Sequence, residues 1–406
     1  MDGGSGGAAA PTATGGGKRT RKGETFLNPS AVALHCTDFA WADLDARIRA
    51  EEAAVAAAAI GGAAPAAAPA LSSAGENDTT ALDAANAAAW EGHYVRNKAG
   101  FFPIKNYILR AFPTLFPPGF APREPADGEK GSDVDGDATC DAEPHGDREA
   151  ATRPPATDGA AEAPRVVLDA GCGTGSVALP LMRCGPASDR FVCFDISPSA
   201  VELLLKHRIA TAHPGGVEGF ACDLAAADDV AAAGALDGGR AGSALHAGET
   251  LARPVPTLPP DAALRPYAGA ADRVLLVFVL CALPANRMRA ALLRLRRCLR
   301  RGGAGPPAEL CFRDYGRHDH AERRFLANRQ PVRDGGFVKG DGTTQHFFEL
   351  EEVRALFASA GLAALALEYH CNEVRNRKTG QAMHKVFVNG VFVRDESFAH
   401  PTDPSS

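Results

Sequence analysis

Arg165-Val-Val-Leu-Asp-Ala-Gly-Cys-Gly-Thr-Gly175 is the stretch on which the reading of this chain turns. Val166 to Leu168 form an uninterrupted apolar run, the pattern of a strand buried on both faces in a parallel sheet. Gly171, Gly173 and Gly175 follow two residues apart, and glycine lets a chain turn tightly and bring its backbone against a ligand where a Cβ would collide. A helix is expected to start near Ser176. Strand, glycine loop and helix in this order open a βαβ unit. The spacing differs from the G-x-G-x-x-G that seats a dinucleotide pyrophosphate on a helix N-terminus. An acid two residues before the first glycine, here Asp169, gives instead the form that suits the aminoacyl end of S-adenosylmethionine, a ligand without a pyrophosphate.

Working outward, the next parts arrive in the order such a fold needs. Arg190-Phe-Val-Cys-Phe-Asp195 reads as a second buried strand, ending in a carboxylate placed to accept both ribose hydroxyls. Ser197 caps and Pro198 opens a helix with an apolar stripe of Val201, Leu204 and Leu205. Gly219 to Leu224 reads as a third strand, with Asp223 positioned for the adenine amine and Leu224 beside it. A fourth runs from Ala271 to Leu280, its far end at Val277 facing the adenine. Arg287 to Arg300 is a helix with Met288, Leu292, Leu295 and Leu299 inward, stopped by Gly302-Gly303. Strands at Glu309–Arg313, 363–370 and 385–393, with a helix over 349–360, complete the set. The expectation is an α/β fold, the class I Rossmann-like S-adenosylmethionine methyltransferase, with a seven-stranded mostly parallel sheet and an N-terminal extension.

Composition sets the boundaries around that domain, expected over 164–394. Ala/Gly/Pro-rich stretches with few aromatic or β-branched residues cannot bury enough apolar area to offset their ordering entropy. On this ground 1–72 is expected to be largely disordered outside a short segment over 18–50. Segment 119–163 reads as an acidic linker, 228–263 as a low-complexity insertion, and 395–406 as a tail. Residues 80–118 should form cap or RNA-contact helices. The ten cysteines include no C-x-x-C pair and no Cys/His cluster at zinc spacing, so no metal is expected and the thiols read as small buried residues in a reducing compartment. No apolar run reaches the roughly 18 residues that cross a bilayer, which predicts no membrane segment. A cytoplasmic location is expected, with an organellar transit peptide left open by the Ala-rich start. Net charge is −6, yet 264–394 carries twenty-two Lys/Arg against twelve Asp/Glu, a basic half suited to a phosphate backbone.

Two absences narrow the chemistry. No Pro-Cys dipeptide occurs, which removes the thiolate needed to attack C6 of a pyrimidine, and strand four ends in Val-Leu-Cys-Ala-Leu-Pro284 rather than the Asn/Asp-Pro-Pro-aromatic turn that polarises an exocyclic amine. A ring nitrogen, an oxygen or a small-molecule amine remains as acceptor. Phe312-Arg-Asp-Tyr-Gly316, His318-Asp-His320, Phe337-Val-Lys-Gly-Asp341 and Phe347-Phe348 then supply a specific pattern, joined by Trp90-x-x-x-Tyr94, Gly100-Phe-Phe102 and Asn376-Arg377-Lys378. In these blocks, over more than half of its length, the chain resembles the tRNA N3-methylcytidine methyltransferases of the methyltransferase-like family. Phe26-Leu27, His35 and Trp41 resemble the subgroup with extended N-termini. It departs from the family after Phe102, where Pro103-Ile-Lys-Asn-Tyr107 replaces a Lys-Asp-Arg-His-Trp run.

The resemblance implies formation of 3-methylcytidine at position 32 of the tRNA anticodon loop, with S-adenosylmethionine as cofactor. It further implies tRNA as partner and leaves room for an accessory such as seryl-tRNA synthetase. Asp314 and Tyr315, just past strand five, are the catalytic candidates, since a cationic product favours a nearby carboxylate or aromatic face. Trp90 and Tyr94, four apart on one helix face, are expected to fold over the cofactor beside Gly171, Gly173, Gly175, Asp195, Asp223, Leu224 and Val277. Lys98, Lys105, Arg313, Arg377 and Lys378 are the candidate RNA contacts. Methylation of a small molecule or protein side chain, or a catalytically silent scaffold, are the competing readings.

Overall fold

Val166–Ala170 is the central strand β1, flanked on one side by β2 (Arg190–Asp195) and on the other by β5 (Arg273–Val277), parallel to both. The computed structural model describes residues 39–59, 79–97, 107–120, 164–226, 244–248, 254–303, 305–375 and 381–398. Around β1 the sheet continues with β3 (Val217–Ala221), β4 (Leu245–His246) and β6 (Glu309–Tyr315). A separate three-stranded sheet comprises β7 (Val332–Arg333), β8 (Gly336–Val338) and β9 (Thr344–Gln345). A long antiparallel pair, β10 (Leu362–Arg375) and β11 (Ala382–Arg394), closes the main sheet. Its order is β10-β11-β6-β5-β1-β2-β3-β4, with β3, β2, β1, β5 and β6 parallel. The expected seven strands are all present, and β4 is a two-residue addition at the edge.

Successive residues of a strand point to opposite faces, so each inner strand feeds two cores. Leu168, Phe194, Leu276 and Phe312 face one layer, and Val167, Cys193, Leu275 and Cys311 face the other. The first layer is covered by α7 (Pro260–Leu264), α8 (Ala285–Cys298) and α10 (Leu350–Ser359) through Leu264, Leu292, Leu295 and Phe357. The second takes α3 (Ile108–Ala111), α4 (Ala178–Cys184), α5 (Pro198–Lys206) and α6 (Arg208–Thr211). Ile108, Leu109 and Phe112 are fully buried there, so the segment before the acidic stretch belongs to the domain core. Two arginines fasten it: Arg165 donates to the Leu115 carbonyl and Arg273 to that of Thr114, both at 3.0 Å.

Two expectations about composition are corrected. Within 228–263, Leu245 is fully buried and pairs with Gly219, while Ala221 N–H donates to the Pro256 carbonyl and its own carbonyl accepts from Leu258 N–H at the end of β3. These few apolar residues suffice because a strand edge supplies the partners that an amphipathic pattern would otherwise have to provide. Residues 227–243 and 249–253 lie outside the described residues, as do 121–163. In the N-terminal extension, α1 (Trp41–Ala59) begins inside the excepted segment 18–50 and continues past it into the alanine-rich stretch expected to be disordered, and Leu44 and Ile48 pack with Cys371 and Val386 of the β10–β11 pair. The Trp41 ring stacks on Tyr369 at 4.5 Å and on His318 at 5.6 Å, with α9 (His320–Ala327) following directly after His318. An alanine-rich helix with one apolar face needs only that docking to stay folded.

Leu245 therefore has the energetics of a core residue. Leu245→Ala should lower unfolding free energy by about 2–4 kcal/mol, the scale of a leucine truncation in a core. Urea denaturation distinguishes this from a solvated-loop leucine, which would change stability by less than about 0.5 kcal/mol.

Candidate active site

The order of the parallel strands reverses at β1, and crevices at such switch points, outside the carboxyl ends of the strands, are where open α/β sheets bind ligands. A cavity open to solvent lies there. Its floor is the glycine loop. Gly171, Gly173 and Gly175 all have positive φ (68°, 52° and 91°), a region that disfavours side chains. A Cβ on Gly171 would stand 2.4 Å from Val279 Cγ2, and one on Gly173 would stand 2.7 Å from Tyr94 Oη. Backbone hydrogen bonds pin the loop to the end of β2: Cys172 N–H donates to the Phe194 carbonyl and Gly173 N–H to Asp195 Oδ2, both at 2.9 Å.

Asp195 sits at the cavity wall with little solvent contact, and Ser197 N–H donates to its Oδ1 at 3.0 Å. Burial pushes its carboxyl up to about 6, the backbone donors Ser197 and Gly173 hold the rise back, and the neighbouring Glu91 charge adds to it. Asp169, at the end of β1, is deeper still. Burial first and the Asp195 charge second push it up to about 8, and its Oδ2 meets no donor among the described residues. Asp223, half-buried, lines the cavity beyond β3 with Leu224, and Val277 lines it at the end of β5.

The roof is α2 (Thr79–Asn97). Asn86, Trp90 and Tyr94 are four apart, share one helix face and all line the cavity, with the Trp90 and Tyr94 rings 6.2 Å apart. The helix is held at both flanks. Glu91 accepts from Ser197 Oγ at 2.5 Å and from the Ser199 hydroxyl, while His93 Nδ1 lies 3.5 Å from Asp341 and the Lys339 ammonium 5.5 Å from the Trp90 ring. The pair with His93 holds the Asp341 carboxyl well below the usual carboxylate range.

Of the candidates read from sequence, Trp90, Tyr94, Gly171, Gly173, Asp195, Asp223, Leu224 and Val277 all converge on this cavity. Gly175 stands behind the loop, where a Cβ would strike Leu204 Cδ1 at 2.4 Å. Three candidates are corrected. Asp314 is fully buried, with Oδ2 accepting from Cys281 N–H at 2.9 Å, so it cannot touch a base and instead positions the loop after β5. Tyr315 does not line the cavity but backs Phe278, which does, with rings 4.8 Å apart. Arg313 is buried between the Tyr107 and Phe387 rings, at 4.7 and 4.1 Å, and donates to Asn389 at 2.5 Å, so it is not presented to a phosphate. Lys98, Lys105, Arg377 and Lys378 lie outside the described residues. Asn86, Glu91 and Phe278 were missed. The spacing of 86, 90 and 94 carried a signal for the first, whereas the left-handed φ of 60° that turns Phe278 into the cavity carries none in sequence.

A methyltransferase-domain family model matches residues 144–367. The tRNA N(3)-cytidine methyltransferase METTL6 of Mus musculus is 31% identical over 240 residues, 59% of this chain and 70% of that protein. The chain belongs to the tRNA N(3)-cytidine methyltransferase family. METTL2 of Danio rerio, which bears the same description, is 28% identical over 306 residues, covering 74% of this chain and 71% of that one. The O-methyltransferase 3 of Dictyostelium discoideum is 28% identical over 230 residues, and the chain spans 43% of its length. S-adenosylmethionine is the cofactor of this methyltransferase fold, and the cavity fits it: a glycine floor that admits no Cβ, the carboxylates of Asp195 and Asp223 on its lining as acceptors, and apolar walls between them. Among the described residues, no helix is long and apolar enough to cross a membrane, and no group of three His, Cys, Asp or Glu is placed to hold a metal.

Three outcomes follow from the carboxylates. Asp195→Ala should cost about 1.5–3 kcal/mol of S-adenosylmethionine affinity, the scale of a hydrogen bond to a charged group. In the wild type, affinity measured by calorimetry should fall as pH drops through about 6, where Asp195 takes up its proton. Asp169 acts on stability with the opposite sign from a salt-bridged carboxylate. Its folded-state pKa lies above its unfolded one, so folding takes up a proton and stability declines as pH rises from about 4 to about 8. Asp169→Asn should flatten the part of that decline above pH 6 in urea titrations; an unchanged slope would mean that Asp169 ionises normally.

Proposed function

We propose that this protein methylates N3 of a cytosine in the anticodon loop of tRNA, at position 32. The observation that carries the reading is the likeness, over 74% of the chain, to a relative described as a tRNA N(3)-cytidine methyltransferase. Asp195 would accept from the ribose hydroxyls of the cofactor and Asp223 from the adenine amine, with Leu224 and Val277 as the apolar lining for the adenine. Trp90 and Tyr94 close over them. When bound, the cofactor supplies an electrophilic methyl on a sulfonium.

Cytosine N3 has an in-plane lone pair and is largely unprotonated near neutral pH, so it needs no strong base. The N3–carbon bond forms as the sulfur–carbon bond breaks, and the positive charge passes from sulfur to the base. What the protein supplies is in-line positioning, worth up to about 7–11 kcal/mol in well-oriented systems. N3 lies on the Watson–Crick edge, so the base has to be unpaired and turned out of its loop before it can enter. Phe278, at the cavity wall beside Tyr315, offers an aromatic face for that base and for its cationic product. No carboxylate general base is required, in keeping with the burial of Asp314.

Nucleoside mass spectrometry of tRNA from cells with and without the protein tests the reaction. Loss of 3-methylcytidine on deletion, and its formation by the purified protein or by the protein with seryl-tRNA synthetase, is the expected result. Binding to tRNA should weaken steeply as salt rises, because phosphate contacts release counterions. Methylation of an oxygen in place of cytosine N3, the kind of transfer named in the Dictyostelium relative's description, would refute the reading.

A further inference from the structure

The cavity face of α2 is the stripe Asn86, Trp90 and Tyr94. Glu91 lies one position on, about 100° around the helix, and turns toward the N-terminus of α5 rather than into the cavity. Its carboxylate meets three donors there: the Ser197 hydroxyl at 2.5 Å, the Ser199 N–H at 3.4 Å and the Ser199 hydroxyl. Ser197 is fully buried and already serves α5 as N-cap, its Oγ accepting from Ala200 N–H at 3.1 Å. A hydroxyl that accepts from its own helix has one proton left to donate, and Glu91 takes it. The Ser197 N–H is committed to Asp195 Oδ1 at 3.0 Å, and Asp195 Oδ2 to Gly173 N–H at 2.9 Å. A continuous hydrogen-bonded chain therefore runs from the roof helix through Ser197 and Asp195 to the glycine floor. Tyr94, on the same helix, closes the loop against Gly173.

We propose that Glu91 is a positioning residue for the cofactor site: its carboxylate locks the roof helix to the α5 N-terminus and, through Ser197, fixes the carboxylate of Asp195. This rests on the reading of Asp195 as the ribose acid. The arrangement is chemically selective. The free N–H groups and dipole at a helix N-terminus favour an anion, so an acid serves at position 91 better than an amide, which turns donor hydrogens toward donors. Glu91 also sets the charge that Asp195 meets. Among the described residues, the ionisable groups whose interaction with Asp195 is resolved are Asp169 on β1, Cys172 in the glycine loop, and Tyr94 and Glu91 on α2, and these four include no cation. Removing one of these negative neighbours makes Asp195 easier to ionise.

Calorimetric titration of the full chain with S-adenosylhomocysteine, from about pH 5 to 8.5, tests this in the wild type, Glu91→Gln, Ser199→Ala and Asp195→Ala. Glu91→Gln should weaken binding about tenfold or more at the alkaline end, where Asp195 is ionised in either protein. It should also move the acid limb of the affinity profile to lower pH. Ser199→Ala removes a donor without removing charge, so it should weaken binding less and leave the limb in place. A merely structural role would lower the melting temperature and leave both affinity per folded molecule and the limb unchanged, and that result overturns the proposal. Asp195→Ala separates the two possible failures. Unchanged affinity in that variant withdraws the Asp195 assignment and this inference together, whereas lost affinity there with an unaffected Glu91→Gln overturns the inference alone.

Discussion

The carboxylate of Asp195 is held almost dry at the end of β2, and the shape of the site follows from the way its charge is satisfied. Burying an ion without partners costs several kcal/mol, so the chain must bring donors to it. It brings two backbone N–H groups, from Gly173 on one side and Ser197 on the other. The first fixes how the glycine loop leaves β1, and the second fixes where α5 begins. Floor and wall are thus oriented by one side chain, and β1 and β2 cannot shift register without breaking the Gly173 bond.

The burial that makes Asp195 a strong acceptor also makes the site electrostatically costly. Asp169 and Glu91 face the same region, and among the described residues relief comes from N–H and O–H dipoles and from the raised pKa of the deeper acid. Structures tolerate such concentrations of like charge where a ligand makes use of them. A cationic cofactor with several hydroxyl and amine donors complements this cavity. Its net charge and hydrogen-bonding character match what the protein has placed there.

The parts of this design that were legible in the sequence are those where one residue type has one physical use. Glycines two apart, carboxylates at strand ends and aromatics spaced four apart placed the floor, the acids and the roof. Apolar runs placed every inner strand. What was not legible depends on contacts between distant segments. Leu245 looked like part of a solvated insertion because its partner, Gly219, belongs to a strand whose edge cannot be seen in a local window. That the helix begun at Trp41 continues into the alanine-rich residues after Ala50 was not legible, since the surface that covers its first turns is built from Tyr369, Cys371 and Val386. Glu91 carried no signal at all: an acid on an exposed-looking helix position acquires its meaning from Ser197 and Ser199, more than a hundred residues away in the chain.

The misassignment of Arg313, Asp314 and Tyr315 has a structural logic of its own. These three residues end β6, next to the point where β5 gives way to the loop lining the cavity. Alternation sends Arg313 and Tyr315 to one face and Asp314 to the other. Phe278 has a left-handed backbone, which costs on the order of 1–3 kcal/mol for a residue with a side chain and persists only where its surroundings enforce it. The enforcing contacts come from β6: the Arg313 carbonyl accepts from Phe278 N–H at 2.8 Å, Tyr315 packs on the Phe278 ring, and Asp314 holds Cys281 N–H. Arg313, clamped by Tyr107, Phe387 and Asn389, keeps the strand end rigid while it does so. The distinctiveness of the Arg-Asp-Tyr-Gly block thus reflects a support that aims Phe278, Val279, Ala282 and Leu283 at the ligand, a task that requires an arginine, an acid and an aromatic as specifically as direct catalysis would.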